Sequence, residues 1–275
     1  MTDPILLTVE QGLARLTLNR PASLNAFDAD LAVAWRDATA EAVARDDVRA
    51  ILLDANGRAF CAGGDVLAMA TGMGEGDDIT ALAQVINEGI LSLTTSAIPV
   101  VAAAHGTTAG GGLGILMCSD YAIVGAGSKI GSLYANIGLT PDLSVTAQLA
   151  RAVGERRALQ LVLQDRMLSA AEAVEWGLVA EAVAAPAGSE TAEAEADAVR
   201  ERAEQVARFW LAGAAGAYGE AKRLIRSERS RTYAEQLAEE ARSIGVAFET
   251  TDARARVAAF AAASRKSARG GQAEA

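Results

Sequence analysis

The residue types best placed to do chemistry here are glycines, in two turns that each follow an apolar run. Residues 100–120 read VVAAAHGTTAGGGLGILMCSD: an apolar segment, a small-residue turn, then Gly110, Gly111 and Gly112 feeding a second apolar segment. That order predicts strand, tight turn and helix start. A helix start carries backbone N–H groups without intrahelical acceptors, and its macrodipole adds partial positive charge there. Without side chains in the way, a ligand oxygen can approach such groups closely. Residues 59–66, AFCAGGDV, have the same grammar after the apolar run 50–54. If the fold brings the amides of Gly64 and Gly111 to one point, they form a two-donor oxyanion hole, with each donor contributing about 3–4 kcal/mol to a transition state. Taken singly, each turn reads as well as a site of close packing.

Spacing removes other glycine chemistries. A dinucleotide fingerprint needs Gly-x-Gly-x-x-Gly/Ala, but Gly110 and Gly112 lead to Ile115, and Gly112 and Gly114 lead to Met117. No glycine is followed by the Lys-Ser/Thr of a phosphate-binding loop, and no apolar run nears the roughly 20 residues that span a bilayer. A net charge of −10 argues against nucleic acid and anionic membranes, which require basic patches. The single histidine, His105, cannot build a typical zinc site, so no metal is expected. Cys61 and Cys118 read as buried apolar residues, and His105, at a strand end, as a hydrogen-bonded structural residue. Two cysteines and an N-terminus without a signal-like segment suit a reducing cytoplasm.

The elements that must position these turns follow from periodicity. Residues 5–19 alternate around Gln11-Gly12 as a hairpin, stopped by Arg20-Pro21. Phe27, Leu31, Trp35, Ala38 and Ala42 predict a helix over about 28–45, and 50–55 a strand buried on both faces. Asp65 reads as a helix cap that holds the loop's shape. Residues 71–78, TGMGEGDD, have the composition of a surface loop, followed by a helix over 79–93 with Leu82, Val85, Ile86, Ile90 and Leu93 on one face and Asn87 and Glu88 beside it. Ser169 and Glu172 form a capping box. Residues 184–197 read as linker plus helix entry, and helices are expected near 198–212, 217–247 and 252–266.

AFCAGGD and HGTTAGGGLGILMCSD, with LNRPASLNAF upstream and SLYANIGLTPD and RMLSAAEAVEWGLV downstream, resemble the enoyl-CoA hydratase/isomerase (crotonase) superfamily, from about residue 6 to 266. The resemblance implies an α/β fold: a ββα spiral of the ClpP/crotonase type over 1–195 that binds and transforms acyl-CoA, a C-terminal helical oligomerisation region over 196–266, and a disordered tail over 267–275. It implies a homotrimer or dimer of trimers, and coenzyme A as part of the thioester substrate with no tightly bound cofactor. Ser23, Leu24, Ala62 and Asp65 are expected along the CoA moiety, and Phe260, Arg265 and Lys266 at a neighbour's CoA site, with Lys222 a further basic candidate.

In this family hydration uses two glutamates, and the matching positions are Gly114 and Tyr134. Ordinary hydratase chemistry is therefore in question. Asp142 in GLTPDLSV matches the position where some family isomerases carry a lone carboxylate, and one carboxylate suffices to move a proton from C2 to C4 of a 3-enoyl thioester. Catalysis is accordingly assigned to Gly64, Gly111, Asp142 and Tyr134, and the activity to double-bond isomerisation. Thr140-Pro141-Asp142 also reads as the start of a helix, with Asp142 a first-turn acid. A hydratase-like lyase with unusual acid and base, or a CoA-ester binder without catalysis, remain as alternatives. The residues around Met69, Leu91, Leu133 and Tyr134 either line the acyl pocket or pack.

Overall fold

The computed structural model describes residues 3–72 and 74–270, with side chains described through residue 264. Hairpin strands β1 (Ile5–Glu10) and β2 (Leu13–Leu18) lead through a 3-10 turn (Pro21–Ser23) to α1 (Ala29–Ala44). Then come β3 (Ala50–Ala55), α2 (Val66–Gly72), α3 (Gly76–Thr95), β4 (Val100–Ala104), β5 (Thr107–Ala109), α4 (Gly111–Met117), β6 (Tyr121–Gly125) and β7 (Lys129–Gly131). A second 3-10 turn (Ala135–Ile137) precedes α5 (Val145–Val153), α6 (Glu155–Leu163), β8 (Met167–Ser169), α7 (Ala170–Glu175) and β9 (Glu181–Val183). Helices α8 (Ala192–Ala212), α9 (Ala215–Ser227), α10 (Tyr233–Glu249) and α11 (Thr251–Gly270) close the chain.

The strands form a six-stranded sheet, β1-β2-β3-β4-β6-β9, and a three-stranded sheet, β5-β7-β8. β1 and β2 pair antiparallel, and β2 through β9 of the large sheet pair parallel. Cys61 bridges to Thr108 at the edge of the small sheet. Each turn of the chain thus visits the large sheet, then the small one, then a helix: β3, residue 61, α2 and α3; β4, β5, α4; β6, β7, α5. This is the expected α/β spiral.

Strand β3 is buried at every position, its apolar residues as predicted and Asp54 with its carboxylate accepting from the Thr17 hydroxyl at 2.5 Å and pairing with Arg15 at 3.2 Å. Alternation divides its side chains: Ile51 and Leu53 join Leu16, Ala102 and Val124 on the face covered by α1, α3 and α4. Ala50 and Leu52 join Leu13, Val101, Ala103 and Ile123 on the face covered by Val199, Ala203, Val206 and Ala207 of α8. The boundary expected at 195/196 falls within α8. Thr191 caps that helix by accepting from the Ala194 N–H, so it starts before the predicted 198.

Three further readings change. The stretch read as a loop over 71–78 is divided between the end of α2 and the start of α3, because the Asp78 carboxylate accepts from the Gly74 and Glu75 N–H groups and serves as a helix-start device. The helix read over 217–247 breaks into α9, a 3-10 turn (Glu228–Ser230) and α10, because Thr232 and Glu235 form a capping box. The tail read from 267 begins inside α11, and 271–275 lie outside the described residues.

Helices α1 and α3 are locked together by Trp35, which is fully buried, donates its indole N–H to the Ile86 carbonyl at 3.1 Å and meets Phe27 edge-on at 6.2 Å. Gly89 lets α3 pass over the indole, since a Cβ there would collide with the ring nitrogen. Trp35→Ala should cost about 3–5 kcal/mol, read as a lower urea midpoint at unchanged m-value.

Candidate active site

The two glycine turns touch. Gly63 has φ +104°, and a Cβ there would lie 3.0 Å from the Ala109 carbonyl oxygen and 3.2 Å from the Gly111 nitrogen. Hydrogen bonds zip the preceding residues in parallel: the Phe60 N–H donates to the His105 carbonyl at 2.9 Å, and the Ala109 N–H to the Cys61 carbonyl at 3.0 Å. Among the described residues, neither the Gly64 N–H nor the Gly111 N–H has an acceptor. Gly64 and Gly111 line one cavity of about 580 Å³.

Side chains from three other places complete that cavity. Helix α3 contributes Leu82 and Ile86 of its predicted apolar face together with Ile79 and Ala83, Met69 comes from α2, and residues 133–143 supply Leu133, Tyr134, Leu139 and Asp142. Among the described residues, the ionisable groups that line it are Tyr134 and Asp142. They are bonded to each other: the Tyr134 hydroxyl donates to Asp142 Oδ1 at 2.5 Å. Burial pushes the Asp142 carboxyl above the ordinary carboxylate value, and the Tyr134 hydrogen bond partly opposes that rise. Burial and the adjacent carboxylate push the Tyr134 phenol far up, so it remains a neutral donor.

Asp142 is not a first-turn helical acid. Leu143 (φ 48°) and Ser144 (φ 65°) both take the left-handed conformation, and α5 begins only at Val145. Thr140-Pro141 therefore opens a loop, and the strained pair turns Asp142 toward the cavity. That loop also accounts for position 114. A Cβ on Gly114 would collide with the Leu143 carbonyl oxygen, so the loop bearing Asp142 occupies the space a side chain at 114 would need. Tyr134, at the second glutamate position, is the donor that holds Asp142.

The other sequence candidates separate. Ala62 lines the cavity, and its N–H donates to the Leu24 carbonyl at 3.0 Å, which brings the Ser23-Leu24 turn to its rim. Asp65 caps α2, accepting from the Ala68 N–H at 3.1 Å, and pairs with Arg20 at 3.2 Å. Lys222 is buried, donating to the Leu93 and Ile98 carbonyls at 2.6 Å each and pairing with Asp120 at 3.1 Å, so it is not free to meet a phosphate. Glu88 and Leu91 point to solvent and lie outside the cavity lining, whereas Asn87 belongs to it. Phe260 is exposed on α11, far in sequence from every lining residue. Arg265 and Lys266 fall within α11, where their side chains lie outside the described residues.

Both cysteines are fully buried, and desolvation raises each thiol to about 12, which leaves Cys61 without nucleophilic character. His105 is buried and bonded through Nε2 to the Gly57 carbonyl at 2.7 Å, with burial lowering its pKa. Among the described residues, no cluster of three or more His, Cys, Asp or Glu is arranged to hold a metal, and no helix is long and apolar enough to cross a membrane. The cavity wall contributed by Leu139 and Leu143 was not read from sequence, because neither has a periodic partner outside a helix or strand.

The chain is similar to known proteins. Residues 8–267 match the family model described as Enoyl-CoA hydratase/isomerase. A 1,2-epoxyphenylacetyl-CoA isomerase of Escherichia coli K12 is 30% identical over 264 residues, covering 95% of this chain and 97% of that protein. A trans-2-decenoyl-[acyl-carrier-protein] isomerase of Streptococcus mutans is 34% identical over 178 residues, 64% of this chain and 67% of that protein. The solved structure of an enoyl-CoA hydratase from Polaromonas sp. JS666 aligns with a TM-score of 0.83 at 27% identity, covering 94% of this chain and 96% of that one.

The approach of Leu143 to position 114 makes a direct prediction. Gly114→Ala should destabilise the protein by about 1–3 kcal/mol through overpacking, lowering the denaturation midpoint, whereas alanine at a helical glycine with open surroundings would stabilise.

Proposed function

The chain belongs to the enoyl-CoA hydratase/isomerase family, and from that premise we propose that it shifts the double bond of an enoyl-CoA thioester through an enolate. The observation that carries this reading is Asp142, the one carboxylate that lines the cavity among the described residues, beside the Gly64 and Gly111 amides, which have no acceptor among those residues. A 3-enoyl thioester would place its carbonyl oxygen on the two amides. The Asp142 carboxylate takes the C2 proton, and the electron pair of that C–H bond moves into the enolate, whose charge the amides stabilise. The protonated acid returns the proton at C4 as the double bond re-forms between C2 and C3. Atoms and electrons balance without a redox partner or a resident cofactor. Hydration would need a second acid or base to activate water, and position 114 has no room for one in this conformation.

A carboxyl raised by desolvation is a stronger base than an exposed one, which suits abstraction of a weakly acidic C–H. The remaining assignments rest on the family. CoA would run along Ser23, Leu24, Ala62 and Asp65. A homotrimer or dimer of trimers, with Phe260 and Lys266 reaching a neighbour's site, would cover the apolar residues Ile244, Phe248, Val257 and Phe260 that α10 and α11 expose. A cytoplasmic location accords with the free thiols of Cys61 and Cys118.

In D2O, a panel of saturated, 2-enoyl- and 3-enoyl-CoA esters followed by NMR should show deuterium entering C2 and migration of the double bond. Asp142→Asn should lower turnover by about 10²–10⁴; a variant with full turnover removes the assignment, and tight binding without exchange favours a non-catalytic ester binder. The same variant should be at least as stable as the parent at neutral pH. Because the folded carboxyl has the raised pKa, it favours the fold most when protonated, and that contribution is lost as pH rises through the folded value.

The activity profile has the opposite sense. kcat/KM should be low in acid, where Asp142 is protonated, and rise to a plateau above its pKa. Tyr134→Phe removes the donor that steadies the carboxylate, so the acid limb of the kcat/KM profile should move to higher pH.

A further inference from the structure

The segment that aims the Gly64 amide is itself fixed by one buried side chain. Phe27 pairs in parallel with Gly64: its N–H donates to the Gly63 carbonyl at 2.7 Å, and its carbonyl accepts from the Asp65 N–H at 2.9 Å. In such a pairing the flanking residues bond to the neighbour, and the central residue's own N–H points the other way. Segment 24–27 therefore leaves the Gly64 N–H without an acceptor among the described residues, on a residue that lines the cavity. The Ala62 N–H adds a third tie, to the Leu24 carbonyl at 3.0 Å. Wherever 24–27 sits, the Gly64 amide is aimed accordingly.

Asn25 decides where that segment sits. It is 0% exposed and holds the left-handed conformation, φ 56°, which asparagine tolerates better than most residues. Its side-chain NH2 donates to the Asn56 carbonyl at 2.9 Å and to the Ala59 carbonyl at 2.8 Å. Its Oδ1 accepts from the Arg20 N–H at 2.8 Å. Its backbone N–H donates to the Arg20 carbonyl at 3.0 Å, and its backbone carbonyl accepts from the Cys61 thiol at 3.1 Å. One residue thus closes the turn that begins at Arg20 and fastens it to both ends of the 56–59 loop, which runs into the Gly63-Gly64 turn.

Few side chains meet these demands together. Glycine accepts the backbone angle but has no amide. Aspartate keeps the acceptor for Arg20 but turns oxygen lone pairs toward the Asn56 and Ala59 carbonyls. Leaving those buried carbonyls without their donors would also loosen the loop.

We infer that Asn25 is a positioning residue that sets the aim of the Gly64 N–H in the oxyanion hole, an inference that rests on the proposed enolate chemistry. Asn25 does not touch the substrate. Its effect passes through the backbone, so it should act on carbonyl polarisation and proton abstraction and leave thioester binding nearly alone. A misplacement on the order of 1 Å is enough to cost about a hundredfold in rate.

The test uses octanoyl-CoA labelled with 13C at the thioester carbonyl, bound to the full-length protein. With both amides in place, the bound carbonyl resonance should lie clearly downfield of the free ester. Asn25→Gly, which keeps the backbone conformation accessible, should lose most of that displacement. Its deuterium uptake at C2 of 3-octenoyl-CoA should fall about ten- to a hundredfold, while its Kd for octanoyl-CoA moves less than about threefold. Full displacement and unchanged exchange in Asn25→Gly overturn the role of Asn25 and leave the enolate reading standing. No displacement in the parent protein overturns the oxyanion hole and the role of Asn25 with it.

Asn25→Asp supplies an independent readout should the glycine variant fail to fold. When ionised it has no hydrogen for Asn56 or Ala59, and when protonated it can donate to one of them. The displacement should therefore return in part as the pH falls. An aspartate variant indistinguishable from the parent at every pH overturns the proposal.

Discussion

Bare backbone meets bare backbone where Gly63 approaches Ala109 and Gly111, and the rest of the site depends on that contact. A methyl group at Gly63 would have to share space with a carbonyl oxygen and an amide nitrogen, in a backbone conformation that side chains rarely adopt. The approach lets two turns, separated by more than forty residues, present free amides to one cavity. The spiral supplies the scaffold: β3 and β4 are parallel neighbours in the large sheet, and each hands its turn to the edge of the small one. Both faces of β3 are buried, one against α1 and α3 and the other against α8, and the Asp54 carboxylate, accepting from Thr17 opposite it on β2, marks the register.

Much of this arrangement was legible in the sequence because it is written in local chemistry. The hairpin around Gln11-Gly12, the buried run of β3, the apolar face of α3 and the Ser169–Glu172 capping box each follow from neighbours in the chain. The family motifs added the pairing of the two glycine turns, which no local pattern contains. What escaped was decided by long-range contact or by competing local signals. Lys222 was a basic candidate for the CoA site, yet the carbonyls of Leu93 and Ile98 and the Asp120 carboxylate hold it inside. Thr140-Pro141-Asp142 looked like a helix start, but the left-handed Leu143 and Ser144 delay the helix to Val145. Glu75 and Asp78 looked like loop acids and instead stand at the start of α3, where a helix favours negative charge.

The electrostatics are sparse and local. In a chain carrying a net charge of −10, the described residues give the cavity one carboxylate, held by one phenol, and otherwise uncharged walls. Charges elsewhere are paired in place: Arg20 with Asp28 and Asp65 beside the Gly63-Gly64 turn, and Lys222 and Arg226 with Asp120, away from this cavity. Burial acts on what remains, raising Asp142 and the two thiols and lowering His105. The environment of Asp142 is thus set more by the absence of water than by any partner of opposite charge.

The close approach of Leu143 to Gly114 also bears on how such a site could change over generations. A glutamate at 114 requires the 139–144 loop to withdraw, and withdrawing that loop takes Asp142 with it. On the proposed chemistry, substituting at 114 alone brings a steric penalty without a working second acid, and rearranging the loop alone displaces Asp142, the one carboxylate that lines the cavity among the described residues. The one-acid and two-acid arrangements are consequently separated by at least two coupled changes, each harmful without the other. A lineage holding this loop conformation is held by packing to a small residue at 114.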